Sequence, residues 1–436
     1  MSNSKLTSPW WWVPTLYFAE GIPYFLVNNI SVMMFTKMGV PNDQMSFFTT
    51  LLYFPWFLKG LWSPVIDIVK TKRWWIIVMQ ILMTAMMIIL AITMPKPSAE
   101  LIASGNTPIG LFTFTLVVFI IIAFASATHD IAADGFYMLA HNPSSQAAFV
   151  GIRSTFYRIS MVFGQGVLVV IAGLIENKTN NIPYSWQITI ATAAVVFLVV
   201  TLYHLFFLPK PDDDTPRASN SNPWREMGNS FATFFTKKGV WLAIAFMLLY
   251  RLPEGFLVKM CQPFLVASSE NGGLSMSTAE VGFIYGTVGV IALLLGGILG
   301  GIYSSRVGLK RALWPMALSL TLPSLVYVYL AIVQPDNVYI IGSSIALETF
   351  GYGFGFTAYM LYMMYFSEGE FKTSHYAICT AFMALSMMLP GFVAGKIEMA
   401  IGYENFFYMV AATFIATFIV TAIVYRKIDP DYGKKI

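Results

Sequence analysis

Twelve apolar runs, most of them twenty residues or longer, recur along a chain of 436 residues, and they constrain the fold before any single residue is considered. A helix needs about 20 mostly apolar residues to cross the hydrocarbon core of a bilayer. The runs fall at about 10–35, 44–68, 74–94, 109–139, 146–175, 186–208, 238–266, 278–303, 312–333, 337–366, 375–399 and 404–425. Only 11 % of the residues are charged, against about 25 % in a soluble domain. No segment is polar enough to fold alone in water, so the expected fold is an all-α polytopic membrane protein with twelve transmembrane helices. The first run continues past signal-peptide length without a convincing cleavage site and is expected to be retained. Cys261 and Cys379 both lie in apolar runs and suggest neither a disulfide framework nor a metal site. No cofactor and no nucleic-acid partner are expected. The partners are the lipid bilayer and a small molecule, and the chain reads as a monomer.

Basic residues set orientation. One side of the alternating loops collects Lys70, Lys72, Arg73, Lys210, Arg306, Lys310, Arg311 and the basic tail, while the other has Lys37, Lys96, Lys178 and Lys396. By the positive-inside rule both termini and the long central loop are expected in the cytoplasm. That loop divides the chain into six spans in residues 1–208, a linker in 209–237 and six spans in 238–436. The linker opens with Pro-Lys-Pro-Asp-Asp-Asp-Thr-Pro, then Asn222-Pro-Trp224 can cap and start a helix. Trp224, Met227, Phe231 and Phe234 recur there at helical spacing beside Arg225, Lys237 and Lys238, as in a helix lying on the inner membrane surface.

Against this apolar background the charged residues inside spans are the functional candidates. Each costs about 2.5–3.5 kcal/mol near the bilayer centre even on a lenient scale, so such a group faces a partner or a water-filled cavity. Asp130 and Asp134 in span four share one helix face. With the following turn centred on Pro143 and Ser144, Asp130 reaches the depth of Arg158 and Asp134 that of Arg153, at about 1.5 Å of rise per residue. Glu20 in span one and Lys59 in span two have comparable depths and are candidates to pair. An acid that exchanges a desolvated setting for one beside a cation can load and release a proton, so Asp130, Asp134, Arg158, Glu20 and Lys59 are the candidate coupling residues. Arg251, Glu254 and Glu348 fall near the midplane of the second half, where an arginine can grip a carboxylate or phosphate bidentately. Tyr359 and Tyr362 offer sugar-stacking faces, while the glycines around Gly296, Gly300, Gly353 and Gly355 suit close helix contact.

The two halves echo one another after their second spans. Ser63-Pro-Val-Ile-Asp67 precedes Lys70, Lys72 and Arg73, and Gly301-Ile-Tyr-Ser-Ser305-Arg306 precedes Lys310 and Arg311. An acid facing a basic cluster at a cytoplasmic helix end can latch one state of a cycle, which makes Asp67, Lys72, Arg73, Arg306, Lys310 and Arg311 the candidate gating loops. The second copy resembles the signature loop of the major facilitator superfamily, with Ser305 in place of its aspartate, and two six-helix bundles are that superfamily's architecture. Three further places resemble the branch that contains the AmpG-type muropeptide permeases and the acetyl-coenzyme A transporters. They are Leu58-Lys59-Gly-Leu-Trp62-Ser-Pro64-Val-Ile-Asp67, then Thr128-His129-Asp130-Ile-Ala-Ala-Asp134, with His129 replacing a glutamine, and Tyr157-Arg158-Ile-Ser-Met161.

That resemblance implies a secondary active transporter, with proton-coupled import of anhydro-sugar muropeptides across a bacterial inner membrane as the first expectation. Acetyl-coenzyme A or another bulky organic anion is the alternative substrate. A non-transporting receptor on the same fold is a further reading. His129 and Asp134 also match a His-x-x-x-x-Asp acyltransferase pattern, but the catalytic domain it requires is missing from the sequence, so no enzymatic activity is expected.

Overall fold

A computed structural model describes residues 8–140, 152–153, 155–212, 214–216, 223–369, 372–430 and 432. Pro143, Ser144, Asn222 and the side chains of Asp67 and Met227 lie outside the described residues. Among the described residues the regular structure is helical throughout.

Eight segments are long and apolar enough to cross a membrane by themselves: Lys72–Ile92, Ile109–Leu139, Thr155–Thr179, Ile182–Phe207, Val240–Val266, Thr278–Val307, Leu309–Val333 and His375–Tyr425. The last is two spans, because Gly402 at φ 77° takes the left-handed conformation that glycine adopts without strain and turns the chain there. Span ten is the continuous helix Val338–Ser367. Spans one and two, 13–37 and 42–68, are helical but interrupted.

The interruptions have local causes. Span one changes from Val13–Phe25 to a π-helical turn at Leu26–Ile30 shortly after Pro23. Span two is built of Asn42–Leu51, Phe54–Leu58, a 3-10 turn at Lys59–Leu61 and Ser63–Ile68, with Pro55 and Pro64 in first turns, where the missing N–H forfeits no hydrogen bond. Span seven breaks between Val240–Leu249 and Leu252–Val266, and Arg251 sits in the break at φ −106°, ψ 14°. Lys59 and Arg251 therefore both occupy helix breaks. In a membrane such irregular backbone is tolerated where protein or a hydrated cavity surrounds it.

The chain forms two compact units, Met1–Val40 with Leu52–Pro223, and Pro41–Leu51 with Trp224–Ile436. In the first unit, Trp12, Tyr17, Ile76, Phe136 and Tyr137 form a buried core among spans one, three and four. Arg73 bonds the carbonyls of Leu205 and Leu208, and the Asp214 carboxylate accepts from the backbone N–H groups of Lys72 and Arg73 at 2.7 and 2.9 Å. An acid thus caps the positive end of span three.

In the second unit spans eight and ten pack backbone to backbone. A Cβ on Gly296 would lie 2.2 Å from the Phe350 carbonyl oxygen, and one on Gly353 would lie 2.4 Å from that of Leu293. Asn42–Leu51 belongs to this unit and lays Ser46, Thr49 and Thr50, all fully buried, along span eleven. There the Gly395 N–H donates to Ser46 Oγ at 3.0 Å. Residues Pro223–Thr236 form the expected linker helix. Phe234 turns into the core against Phe366 and Phe382, whereas Trp224, Phe231 and Phe235 are exposed. Lys237 Nζ donates to the carbonyls of Phe366 and Glu368 at 2.6 and 2.8 Å, where a cation favours the end of span ten.

Candidate functional site

Five of the charged side chains in the first unit converge. Lys59 donates to the Asp130 carboxylate in a direct salt bridge. The carboxyl of Glu20 comes within hydrogen-bonding reach of Asp130, and its Oε2 has no hydrogen-bond partner among the described residues. One turn along span four, Asp134 meets Arg153 at 2.6 Å and accepts from the Tyr17 hydroxyl at 3.2 Å. The Arg153 guanidinium lies 4.4 Å over the Tyr17 ring. Counting depth along adjacent helices had matched Asp134 to Arg153, and these side chains are in contact. The salt bridge of Asp130 is to Lys59, so Lys59 and Glu20 meet through Asp130.

The arrangement suits proton exchange. Ionised carboxylates only accept hydrogen bonds, so Glu20 and Asp130 can bond each other only with one proton between them. The side chains of Lys59 and Asp130 keep 35 % and 17 % of their surface exposed, so the pair is not sealed within the first unit. Behind it lies a buried polar chain that the apolar look of spans three and six had hidden. The Gln80 amide lies 3.0 Å from His129 Nε2 and 2.9 Å from His204 Nδ1, and His204 Nε2 is 2.9 Å from Thr15 Oγ1. His129 therefore braces span four beside Asp130 and has its ring nitrogen occupied by a neighbour. Arg158 follows Arg153 by five residues and is engaged within the fold.

In the second unit Arg251 is 5 % exposed and donates to the Tyr352 hydroxyl at 2.7 Å. Its guanidinium lies 4.7 Å from the Phe356 ring centre and 5.6 Å from that of Tyr359. Tyr359 is fully buried and donates to the Met247 carbonyl at 2.7 Å, and Tyr362 packs with Phe246 at 4.3 Å. Glu348 is buried and accepts from Thr349 at 3.3 Å. Of the basic loop residues, Lys310 lies 5.5 Å from the Tyr425 ring, and Arg306 and Arg311 are exposed.

Lys259 and Glu398 are further buried charges inside spans that the same sequence signal marks. Lys259, 1 % exposed, donates to Thr49 at 3.0 Å. Glu398, 6 % exposed, accepts from Asn42 at 2.8 Å.

A family profile described as Major Facilitator Superfamily matches residues 15–370. The Anhydromuropeptide permease of Escherichia coli (strain K12) is 24 % identical over 397 residues, covering 90 % of this chain and 74 % of that protein. A Putative transporter AmpG 4 of Rickettsia conorii (strain ATCC VR-613 / Malish 7) is 24 % identical over 402 residues and 89 % of each chain. Among solved structures, a D-xylose-proton symporter superposes with a TM-score of 0.71 at 12 % identity, over 97 % of this chain and 98 % of that one, which is a likeness of fold.

Proposed function

Because the chain belongs to the Major Facilitator Superfamily, and is thereby a multi-pass membrane transporter of a small-molecule substrate, we propose that it imports anhydro-muropeptides in symport with protons across a bacterial inner membrane. The substrate class follows the named permeases to which the chain is similar along nine-tenths of its length. The coupling reading is supported by one observation, the Lys59–Asp130 salt bridge with the Glu20 carboxyl beside it within the first unit.

The cycle proposed is alternating access between the six-span halves 1–208 and 238–436, with both termini in the cytoplasm. A proton entering between Glu20 and Asp130 leaves Lys59 facing a singly charged pair. Its departure leaves two carboxylates competing for one ammonium, which favours a different arrangement of spans one, two and four. Asp134, Arg153 and Arg158 hold the second turn of that surface. Arg251, Glu254 and Glu348 supply polar contacts to the substrate, with Tyr359 and Tyr362 as the wall behind Arg251. Asp67, Lys72 and Arg73, with Arg306, Lys310 and Arg311, latch the cytoplasmic ends.

The test is uptake of labelled anhydro-muropeptide into right-side-out vesicles under an imposed proton gradient. Accumulation that a protonophore abolishes supports both substrate and coupling. Accumulation insensitive to it removes the coupling. Absence of uptake by folded protein removes the substrate and makes acyl-coenzyme A the next candidate.

A further inference from the structure

The two units repeat one another at their charged residues. Span four reads Ser126-Ala-Thr-His-Asp130-Ile-Ala-Ala-Asp134-Gly135-Phe136, and span ten reads Ser344-Ile-Ala-Leu-Glu348-Thr-Phe-Gly-Tyr352-Gly353-Phe354. Their serines, acids, glycines and phenylalanines fall in one register. Span one reads Tyr17-Phe-Ala-Glu20-Gly21 and span seven Arg251-Leu-Pro-Glu254-Gly255. Spans five and eleven share Phe156-Tyr-Arg-Ile-Ser160-Met161 and Phe382-Met-Ala-Leu-Ser386-Met387.

The contacts repeat with the letters. Three residues before its acid, span one donates from Tyr17 to Asp134 at 3.2 Å, and span seven donates from Arg251 to Tyr352 at 2.7 Å. The glycine after each acid lies on the matching serine. A Cβ on Gly21 would meet Ser160 Oγ at 1.7 Å, and one on Gly255 would meet the Ser386 carbonyl oxygen at 2.8 Å. Both units thus dock their first, fourth and fifth spans alike, and the docking that brings Glu20 to Asp130 brings Glu254 to Glu348. What differs is the cation. Lys59 bonds the acid of span four in the first unit, whereas in the second Arg251 stands beside Glu254. Around Glu348 lie Cys261, Thr349 and the Tyr285–Tyr327 pair, whose hydroxyls are 2.7 Å apart. Glu254 therefore has Arg251 on one side and Glu348 on the other, and a single proton makes the three groups neutral together, as burial in a membrane favours.

We infer that Glu254 and Glu348 form a second proton-binding site, so that each half of the transporter carries one exchangeable proton. This rests on reading Glu20–Asp130 as the first such site and adds a role for two acids otherwise taken as substrate contacts. It also changes the driving force, since a cycle that moves two protons draws on the gradient twice.

Infrared difference spectroscopy on the purified full-length chain in liposomes tests this without any substrate, by following the carbonyl band of protonated carboxyl groups through a pH titration. Wild type should lose two such bands as the pH rises. Glu254→Gln or Glu348→Gln should each remove one of them, because a single remaining acid balances the charge of Arg251 without a proton. Glu20→Gln should remove the other. Glu348→Asp should keep the first band at a shifted frequency, so it serves where a glutamine variant fails to fold. Both bands surviving in Glu254→Gln and in Glu348→Gln would overturn the second site. So would displacement of its band by sodium at fixed pH, since the site would then take a metal cation. A missing response to Glu20→Gln alone would defeat the first site and leave the second standing.

Discussion

In the proposed cycle Lys59 sets how the acids of the first unit behave. Its bond to Asp130 offsets one negative charge, and Glu20 is close enough for the three groups to exist in two balanced states that differ by a proton. With Lys59→Met the deprotonated state loses its cation, so gradient-driven uptake should fall at least about tenfold, a change that needs only about 1.4 kcal/mol. Lys59→Arg should keep part of it, and initial rates in vesicles read both. Asp134 and Arg153 should behave as a unit. Asp134→Asn and Arg153→Gln together should cost less transport than the sum of the single changes, a coupling read from a double-mutant cycle. Sequence made depth legible here, because a helix rises by a fixed step per residue, and that sufficed to match Asp134 with Arg153. It did not give azimuth, which turns by about 100° per residue. Choosing Lys59 as the salt-bridge partner of Asp130 required knowing which face of span two looks at span four.

At the scale of single elements, broken and close-packed helices set where charges sit. Pro55, Pro64 and Pro253 are visible in the sequence, yet only the structure shows that Lys59 and Arg251 occupy the breaks they accompany. The glycines of spans eight and ten had been read as contact residues, and Gly296 and Gly353 meet opposing backbone at distances no side chain fits. Gly353→Leu should therefore lower stability by about 1–3 kcal/mol, the usual cost of overpacking, visible as a lower melting temperature in detergent. Asp214→Ala removes the acceptor for the first two N–H groups of span three, leaving the Thr71 cap in place, and should cost about 1 kcal/mol by the same assay. Asp214 was hidden in a run of three aspartates, whose spacing to Lys72 and Arg73 exceeds any local pattern.

At the scale of the whole molecule, an all-α polytopic fold was legible because length and hydropathy dictate it, while the superfamily was legible through the resemblance of the loop at Gly301–Arg311 and of the motifs in spans two, four and five. The assignment of Asn42–Leu51 to the second unit was not, since it depends on a polar seam of Ser46, Thr49 and Thr50 that reads as ordinary helix. Asp130 is proposed to couple protons to movement of solute. In proteoliposomes preloaded with unlabelled anhydro-muropeptide, counterflow measures solute exchange, and an imposed proton gradient measures accumulation. Asp130→Asn should retain counterflow and accumulate far less solute than wild type, because the pair with Glu20 and Lys59 no longer gains or loses a proton. Accumulation at the wild-type level in Asp130→Asn, under the same gradient, would contradict that coupling.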